Sequence, residues 1–191
     1  VKKINLQSGG KDIEIRDYQV EAVRHSITEG RARLLSPTAS GKSLIVYSLM
    51  RYHQHLGRKQ LIVVPTTSLV EQMYGDFQDY ATANDWQVSE NCHRIYGGKE
   101  KSNEYPITIS TWQSIYKFPK SWFEKFDVVY GDEAHLFKAK SLTTILDKCV
   151  NTPYRIGTTG TLDGTKTHKL VLEGVFGTVK KVITTKKLMD T

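Results

Sequence analysis

Lys42 and Ser43 close the stretch Ser36-Pro37-Thr38-Ala39-Ser40-Gly41-Lys42-Ser43, which follows the apolar pair Leu34-Leu35. Small residues after a strand let successive backbone N–H groups turn inward and wrap a polyphosphate at the N-terminus of the next helix. In that setting Pro37, Thr38, Ala39, Ser40 and Gly41 form the cradle, Lys42 neutralises the β- and γ-phosphates of ATP, and the Ser43 hydroxyl becomes a ligand for Mg²⁺. The loop departs from the general pattern at Ser36, where a first Gly is usual, and at Ala39, also often Gly. Farther along, Val128-Val129-Tyr130 runs into Gly131-Asp132-Glu133-Ala134-His135. Mg²⁺ keeps several waters and takes one or two protein oxygens, so Asp132 fits as its acidic partner, bound directly or through water. Glu133, one residue beyond the strand, suits the orientation and deprotonation of an attacking water. Either string alone could be an ordinary strand and turn. Together, each after a β-type run, they supply cradle, metal ligands and base.

The elements that must hold these residues alternate. Strand-like runs recur at Leu34-Leu35, Leu61 to Val64, Ile107 to Ile109, Val128 to Tyr130 and Arg155 to Gly157. Helical stretches are expected between them at Ser43 to His55, Leu69 to Tyr80, Trp112 to Tyr116 and Leu142 to Cys149. Continuous apolar strands alternating with helices predict an α/β fold, a mostly parallel sheet with helices on both faces. Ligands then sit at the carboxyl ends of the strands, where Ser36, Pro65, Thr111, Asp132 and Thr159 fall. Ahead of the first long helix, Ile13 and Ile15 alternate with charges as in a short edge strand, Asp17 offers an N-cap, and Gly30 ends the helix. The expected layout is a lead segment over 1–15, one nucleotide-binding lobe over 16–185, and the start of a linker over 186–191.

Composition sets outer limits. The 191 residues are 39% hydrophobic, enough for a real core, and carry 27 Lys plus Arg against 20 Asp plus Glu. A formal charge of +7 suits a polyanionic partner without demanding one. Cys92 and Cys149 have no metal or disulfide spacing, so a reducing compartment is the default, and neither is expected to be catalytic. No apolar run approaches the roughly twenty residues that span a bilayer. The expectation is a cytoplasmic protein with no membrane partner.

Read in order, the motifs resemble those of the first, RecA-like motor lobe of superfamily 2 helicases. Arg16-Asp17-Tyr18-Gln19 is similar to the adenine-reading Q motif, Ser36 to Ser43 to motif I, and Pro65-Thr66-Thr67-Ser68-Leu69 to motif Ia. Asp132 to His135 resembles motif II and Thr159-Gly160-Thr161 motif III. The resemblance covers nearly the whole chain. It implies ATP and Mg²⁺ as cofactors, catalytic roles for Lys42, Asp132, Glu133 and His135, and coupling of His135 to Thr159 and Thr161. It implies nucleic acid as partner, DNA before RNA, and a second RecA-like lobe in the same parent chain that supplies an arginine to the transition state. Neither Arg94 nor Arg155 stands where that arginine would.

Beside each motif stands a blander reading. The Gln19 amide can pair with adenine N7 and N6–H₂ at once, or be a solvated residue of a first helical turn. Thr66, Thr67 and Ser68 could grip a phosphate or form an ordinary N-cap. Trp112 is expected to pack in the core, leaving backbone contacts with nucleic acid to Pro65, Thr111 and Gln113. Gly97-Gly98 could admit a strand at Gly98 or make a plain turn. His135 is no metal ligand for an oxygen-seeking ion. His53 and His55, two apart on a helix, face different sides and are expected to be solvated. The function expected is the ATP-binding lobe of an ATP-dependent DNA helicase or translocase acting on branched recombination or repair intermediates. An RNA helicase lobe, or a binding module without turnover, is the alternative.

Overall fold

The computed structural model describes residues 5–36, 41–97, 104–137, 139–160, 176–177, 179–183, 187 and 189–190. Strands Gln60–Val64 (β4), Ile107–Thr111 (β6) and Val128–Gly131 (β7) are buried at every position. Strands covered on both faces need continuous runs of this kind. With Arg31–Leu35 (β3), Cys92–Ile95 (β5), Tyr154–Thr159 (β8) and Val179–Lys181 (β9) they form a seven-stranded sheet of order β5-β6-β4-β7-β8-β3-β9. All its pairings are parallel.

Side-chain alternation divides the core. Ile62 and Val64 of β4 face a layer built with Asp17–Glu29 (α1), Lys42–His55 (α2) and Thr67–Tyr80 (α3), which contribute Ala22, Leu49 and Phe77. Leu61 and Val63 face the opposite layer, where Trp112–Ile115 (α5), Lys120–Phe123 (α6) and Ala139–Lys148 (α7) bring Ile115, Phe123 and Ile145. The short helix Val88–Asn91 (α4) leads into β5. Gly131 and Gly157 lie opposite one another in register, and a Cβ on either would come within 2.9 Å of the fully buried Phe176 ring. The two glycines make a flat seat for that ring. Among the described residues, no helix is long and apolar enough to cross a membrane.

Three local expectations need correction. Ile13 and Ile15 do not form an edge of the main sheet: Leu6–Ser8 (β1) and Lys11–Ile13 (β2) pair as a separate antiparallel hairpin, and Ile15 lies outside it. Gly9 and Gly10 both have positive φ, 57° and 75°, which a two-residue hairpin turn requires. The Gly9 N–H donates to the Asp79 carboxylate at 3.0 Å, tying the hairpin to α3. Asp17 is the first helical residue rather than the cap; Arg16 is the extended N-cap residue, and its N–H donates to Gln19 Oε1 at 2.9 Å.

The third concerns the histidines. His55 is exposed, but His53 is fully buried, 4.7 Å from the Tyr154 ring and with Nδ1 3.0 Å from Arg58 Nη1. An arginine can only donate, so Nδ1 is an acceptor and the ring is neutral. Burial, and then the Arg58 charge, push its pKa down from 6.5 to about 4. The unfolded chain therefore takes this proton first as pH falls. The stability contributed by neutral His53 is complete above about pH 6.5 and is lost as pH falls towards 4. Between pH 7.5 and 5 the loss from this group is expected to reach about 2 kcal/mol. Urea unfolding of the wild type and His53→Gln at both pH values checks it: the variant should lose less stability over this range. Equal losses would assign the dependence elsewhere.

A candidate site for nucleotide binding and hydrolysis

β3 ends at Leu35, and the Ser36 N–H donates to the Thr159 carbonyl at 2.8 Å, which joins the mouth of the loop to the end of β8. Pro37, Thr38, Ala39 and Ser40 lie outside the described residues. Gly41 caps α2 in the left-handed region, φ 71° and ψ 45°. Glycine takes this conformation without the strain another residue would carry, and a Cβ would press on the Gln19 amide nitrogen. Gln19 is buried, and its Nε2 donates to the Gly41 carbonyl at 3.2 Å. The first turn of α1 thus braces the exit of the loop.

Lys42 opens α2 and reaches across to the end of β7. Its ammonium is ion-paired with Glu133 and lies 3.4 Å from Asp132 Oδ1. Asp132 is nearly buried and firmly held: its N–H donates to the Val63 carbonyl at 2.9 Å and its Oδ1 accepts from Thr158 Oγ1 at 2.7 Å. Glu133 has φ 51° and ψ 46°, the single positive φ outside glycine among the described residues. Such a conformation costs on the order of 1 kcal/mol or more and is held by its surroundings. Here it turns the chain out of β7 into the 3₁₀ turn Ala134–Leu136 and leaves the Glu133 carboxylate beside Lys42.

These groups share a cavity of about 300 Å³ whose walls include Gly41, Lys42, Ser43, Asp132 and Glu133. Gln72 and Asp76 of α3 line it too. Burial raises the Asp76 pKa above the ordinary carboxylate value; a hydrogen bond with Ser43 opposes that shift, and the charges of Asp79 and Asp132 add to it. The Ser43 hydroxyl lies 2.6 Å from the Tyr80 hydroxyl. A hydroxyl and a carboxylate are the hard oxygen donors that Mg²⁺ takes, and an ammonium between Asp132 and Glu133 marks a place where positive charge is stabilised. The residues present therefore fit a Mg²⁺–polyphosphate ligand. No cluster of three or more His, Cys, Asp or Glu suited to holding a metal occurs among the described residues.

The structure brings together Gln19, Gly41, Lys42, Ser43, Asp132 and Glu133. Arg16 is exposed, with Nη1 donating to the Tyr18 hydroxyl at 3.2 Å. His135 lies in the turn after Glu133, but its side chain falls outside what is described, as do Thr161 and Gly98. Thr159 is buried and meets the loop through its carbonyl; the neighbouring Thr158 bonds Asp132. Pro65 is buried, while Thr66 and Thr67 are exposed, and Thr66 Oγ1 caps α3 by accepting from the Leu69 N–H at 3.2 Å. Thr111 and Ser114 share a hydrogen bond of 2.8 Å, and the exposed Gln113 donates from Nε2 to the Pro65 carbonyl at 3.2 Å. Val64 pairs with Thr111 in register, so Pro65–Thr67 and Thr111–Gln113 leave the sheet side by side. Trp112 packs against the second core layer, as expected.

Sequence reasoning missed Tyr80, Asp76, Gln72 and Thr158. A signal for the first three existed. Residues 72, 76 and 80 recur at intervals of four, a polar stripe on α3 beside the buried face of Val70, Met73 and Phe77. Both cysteines are buried thiols, their pKa values pushed up by burial to about 12 for Cys92 and about 11 for Cys149, which removes them as nucleophiles.

Comparison with known proteins agrees with this geometry. The family model described as "Type III restriction enzyme, res subunit" matches residues 12–164. The ATP-dependent DNA helicase uvsW of Enterobacteria phage T4 is 37% identical over 195 residues, covering all of this chain and 38% of that protein. The DNA 3'-5' translocase XPB2 of Sulfurisphaera tokodaii is 32% identical over 152 residues, 78% of this chain and 31% of that protein. The chain thus spans about a third of the length of these relatives. A crystal structure of the UvsW helicase from bacteriophage T4 superposes with a TM-score of 0.83 at 36% identity, over 94% of this chain and 64% of that one. Motif order, parallel topology and these matches agree, and the chain belongs to the type III restriction enzyme res-subunit family as a RecA-like motor lobe of the superfamily 2 helicases.

Proposed function

We propose that this lobe binds Mg·ATP and, with a second RecA-like lobe of the same parent chain, forms an ATP-dependent DNA helicase or translocase acting on branched recombination or repair intermediates. The observation that carries the reading is the convergence of Lys42, Ser43, Asp132 and Glu133 on one cavity at the carboxyl end of the sheet. Lys42 exchanges its carboxylate partners for the β- and γ-phosphates when nucleotide enters, which releases Glu133 to orient and deprotonate water. Ser43 and Asp132 would hold Mg²⁺, which when bound neutralises charge developing on the phosphates. Gln19 would read adenine from the first turn of α1 by exchanging its contacts with the Arg16 N–H and the Gly41 carbonyl for the base, with Arg16 beside it. His135, Thr159 and Thr161 pass the nucleotide state on. DNA is favoured over RNA because the relatives named above are a DNA helicase and a DNA translocase.

Pro65, Thr66, Thr67, Gly98, Thr111 and Gln113 would form the nucleic-acid track, gripping phosphates rather than base edges. The adjacency of the segments after β4 and β6, with exposed Thr66, Thr67 and Gln113, supports this reading. Contacts to a few phosphates, helped by the net charge of +7, predict weak binding without sequence preference whose affinity falls steeply with salt. Fluorescence anisotropy of this chain with single- and double-stranded DNA at low and moderate salt, alongside strand displacement, is the check. Salt-insensitive, sequence-selective binding would replace the track with a base-reading surface. Unwinding by this lobe alone would remove the need for a second one, and a clear preference for RNA of matched sequence would favour an RNA helicase.

A further inference from the structure

We propose that the turn joining α5 to α6 holds the second strand of duplex DNA, with Lys117 and Lys120 as its phosphate contacts. The inference rests on the reading of Pro65–Thr67 and Thr111–Gln113 as the track for a first strand. Those two segments leave the sheet side by side, and the stretches they lead into carry opposite charge. α3 holds Glu71, Asp76 and Asp79 and has no Lys or Arg. From Tyr105 through Phe123 the chain has no Asp or Glu, and its charged residues are Lys117 and Lys120. A duplex seated on the track by one strand has its other strand to one side, towards α3 or towards α5. Carboxylates repel that strand on the first side and ammonium groups attract it on the second.

The turn is held in place before any ligand arrives. Lys148 Nζ, from the end of α7, donates to the Tyr116 carbonyl at 2.8 Å and to the Phe118 carbonyl at 2.7 Å, so the two carbonyls on either side of Lys117 are tied to a cation and withdrawn from an incoming anion. The Phe118 N–H donates to the Ile115 carbonyl at 2.9 Å, the Phe118 ring lies 5.1 Å from that of Trp122, and Pro119 caps α6 with φ −66°. The Lys117 ammonium stands 5.5 Å from the centre of the Tyr116 ring, which meets Trp112 edge-on at 5.7 Å. Lys117 and Lys120 are exposed, and neither is ion-paired among the described residues, whereas Lys125 pairs with Glu104 at 3.2 Å. Lys117 follows Gln113 by four residues, about 6 Å of helix away from the track. Order already present in the turn is not lost again on binding, which favours contact with phosphate.

The test is fluorescence anisotropy of this chain with one labelled DNA sequence, as single strand and as duplex, over a range of salt. Lys117→Ala combined with Lys120→Ala is expected to lower the slope of log affinity against log salt for duplex by about 1 to 2, at about 0.9 per phosphate, and to weaken duplex binding about tenfold at low salt. Single-strand affinity should stay within about twofold of wild type, because the strand on the track keeps its contacts. Lys11→Ala combined with Lys125→Ala removes the same charge from exposed sites elsewhere and should leave both affinities near wild type. All four lysines are exposed, so melting temperatures should match. Equal weakening of single strand and duplex would overturn the assignment to a second strand. So would a test pair that binds duplex like the wild type, or a control pair weakened as much. A wild type whose binding to either DNA ignores salt would instead overturn the reading of the track itself.

Discussion

Lys42→Ala is expected to weaken binding of Mg²⁺ with a nonhydrolysable ATP analogue by between about tenfold and a hundredfold, the scale of losing charge-assisted hydrogen bonds to phosphate. Two effects add. The ammonium that would meet the β- and γ-phosphates disappears, and Asp132 and Glu133, both beside it, are left as uncompensated negative charge on the path of an anion. The fold should survive, because the carboxylates face an open cavity and can draw water once the lysine is gone. A loss of about 1 kcal/mol would lower the melting temperature of a lobe this size by only a few degrees. Calorimetric titration of wild type and variant, with thermal unfolding as the control, measures both. Equal affinities would remove Lys42 from the phosphate site.

The second large effect is expected from Glu133→Gln in the parent chain carrying both lobes. Turnover should fall by about two orders of magnitude or more, the usual scale for loss of a positioned base, while nucleotide affinity stays close to wild type or improves. Affinity is spared because Gln keeps the size and hydrogen-bonding reach of the side chain and removes the charge that competes with phosphate for Lys42. The backbone is spared as well. Glu133 sits at φ 51°, and Gln meets the same steric resistance there, so no new strain is introduced. Steady-state ATPase and equilibrium nucleotide binding on the same preparations separate the two terms. Activity within a few-fold of wild type would show that another group activates the water.

Much of the molecule was legible in the chain, for identifiable reasons. β4 and β7 are apolar at nearly every position because both faces of a parallel sheet are covered, and that pattern survives in one dimension; β6, equally buried, keeps it only at Ile107 and Ile109. Lys42-Ser43 and Asp132-Glu133 were legible because phosphate and Mg²⁺ chemistry demands particular side chains immediately after a strand, where local order suffices to aim them. β5 and β9 went unread: β5 carries His93 and Arg94 among its residues and β9 ends in Lys180-Lys181, so at the edges of the sheet the apolar pattern fades.

Local order along the chain thus carries the layered α/β architecture, the two motifs and the end of the sheet at which they act. Which partners reach them is settled only by folding. Tyr80 meets Ser43 from 37 residues away, Lys42 meets Glu133 across 91, and Thr158 rather than Thr159 bonds Asp132 because alternate residues of β8 point to opposite faces. His53 shows the same limit: helical spacing separates it from His55, but only the packing of α2 beside Tyr154 makes one histidine core and the other surface. Spacing along a chain records which face a residue shares with its neighbours. What lies opposite that face is set by crossovers that bring distant segments together, and no local pattern carries that information.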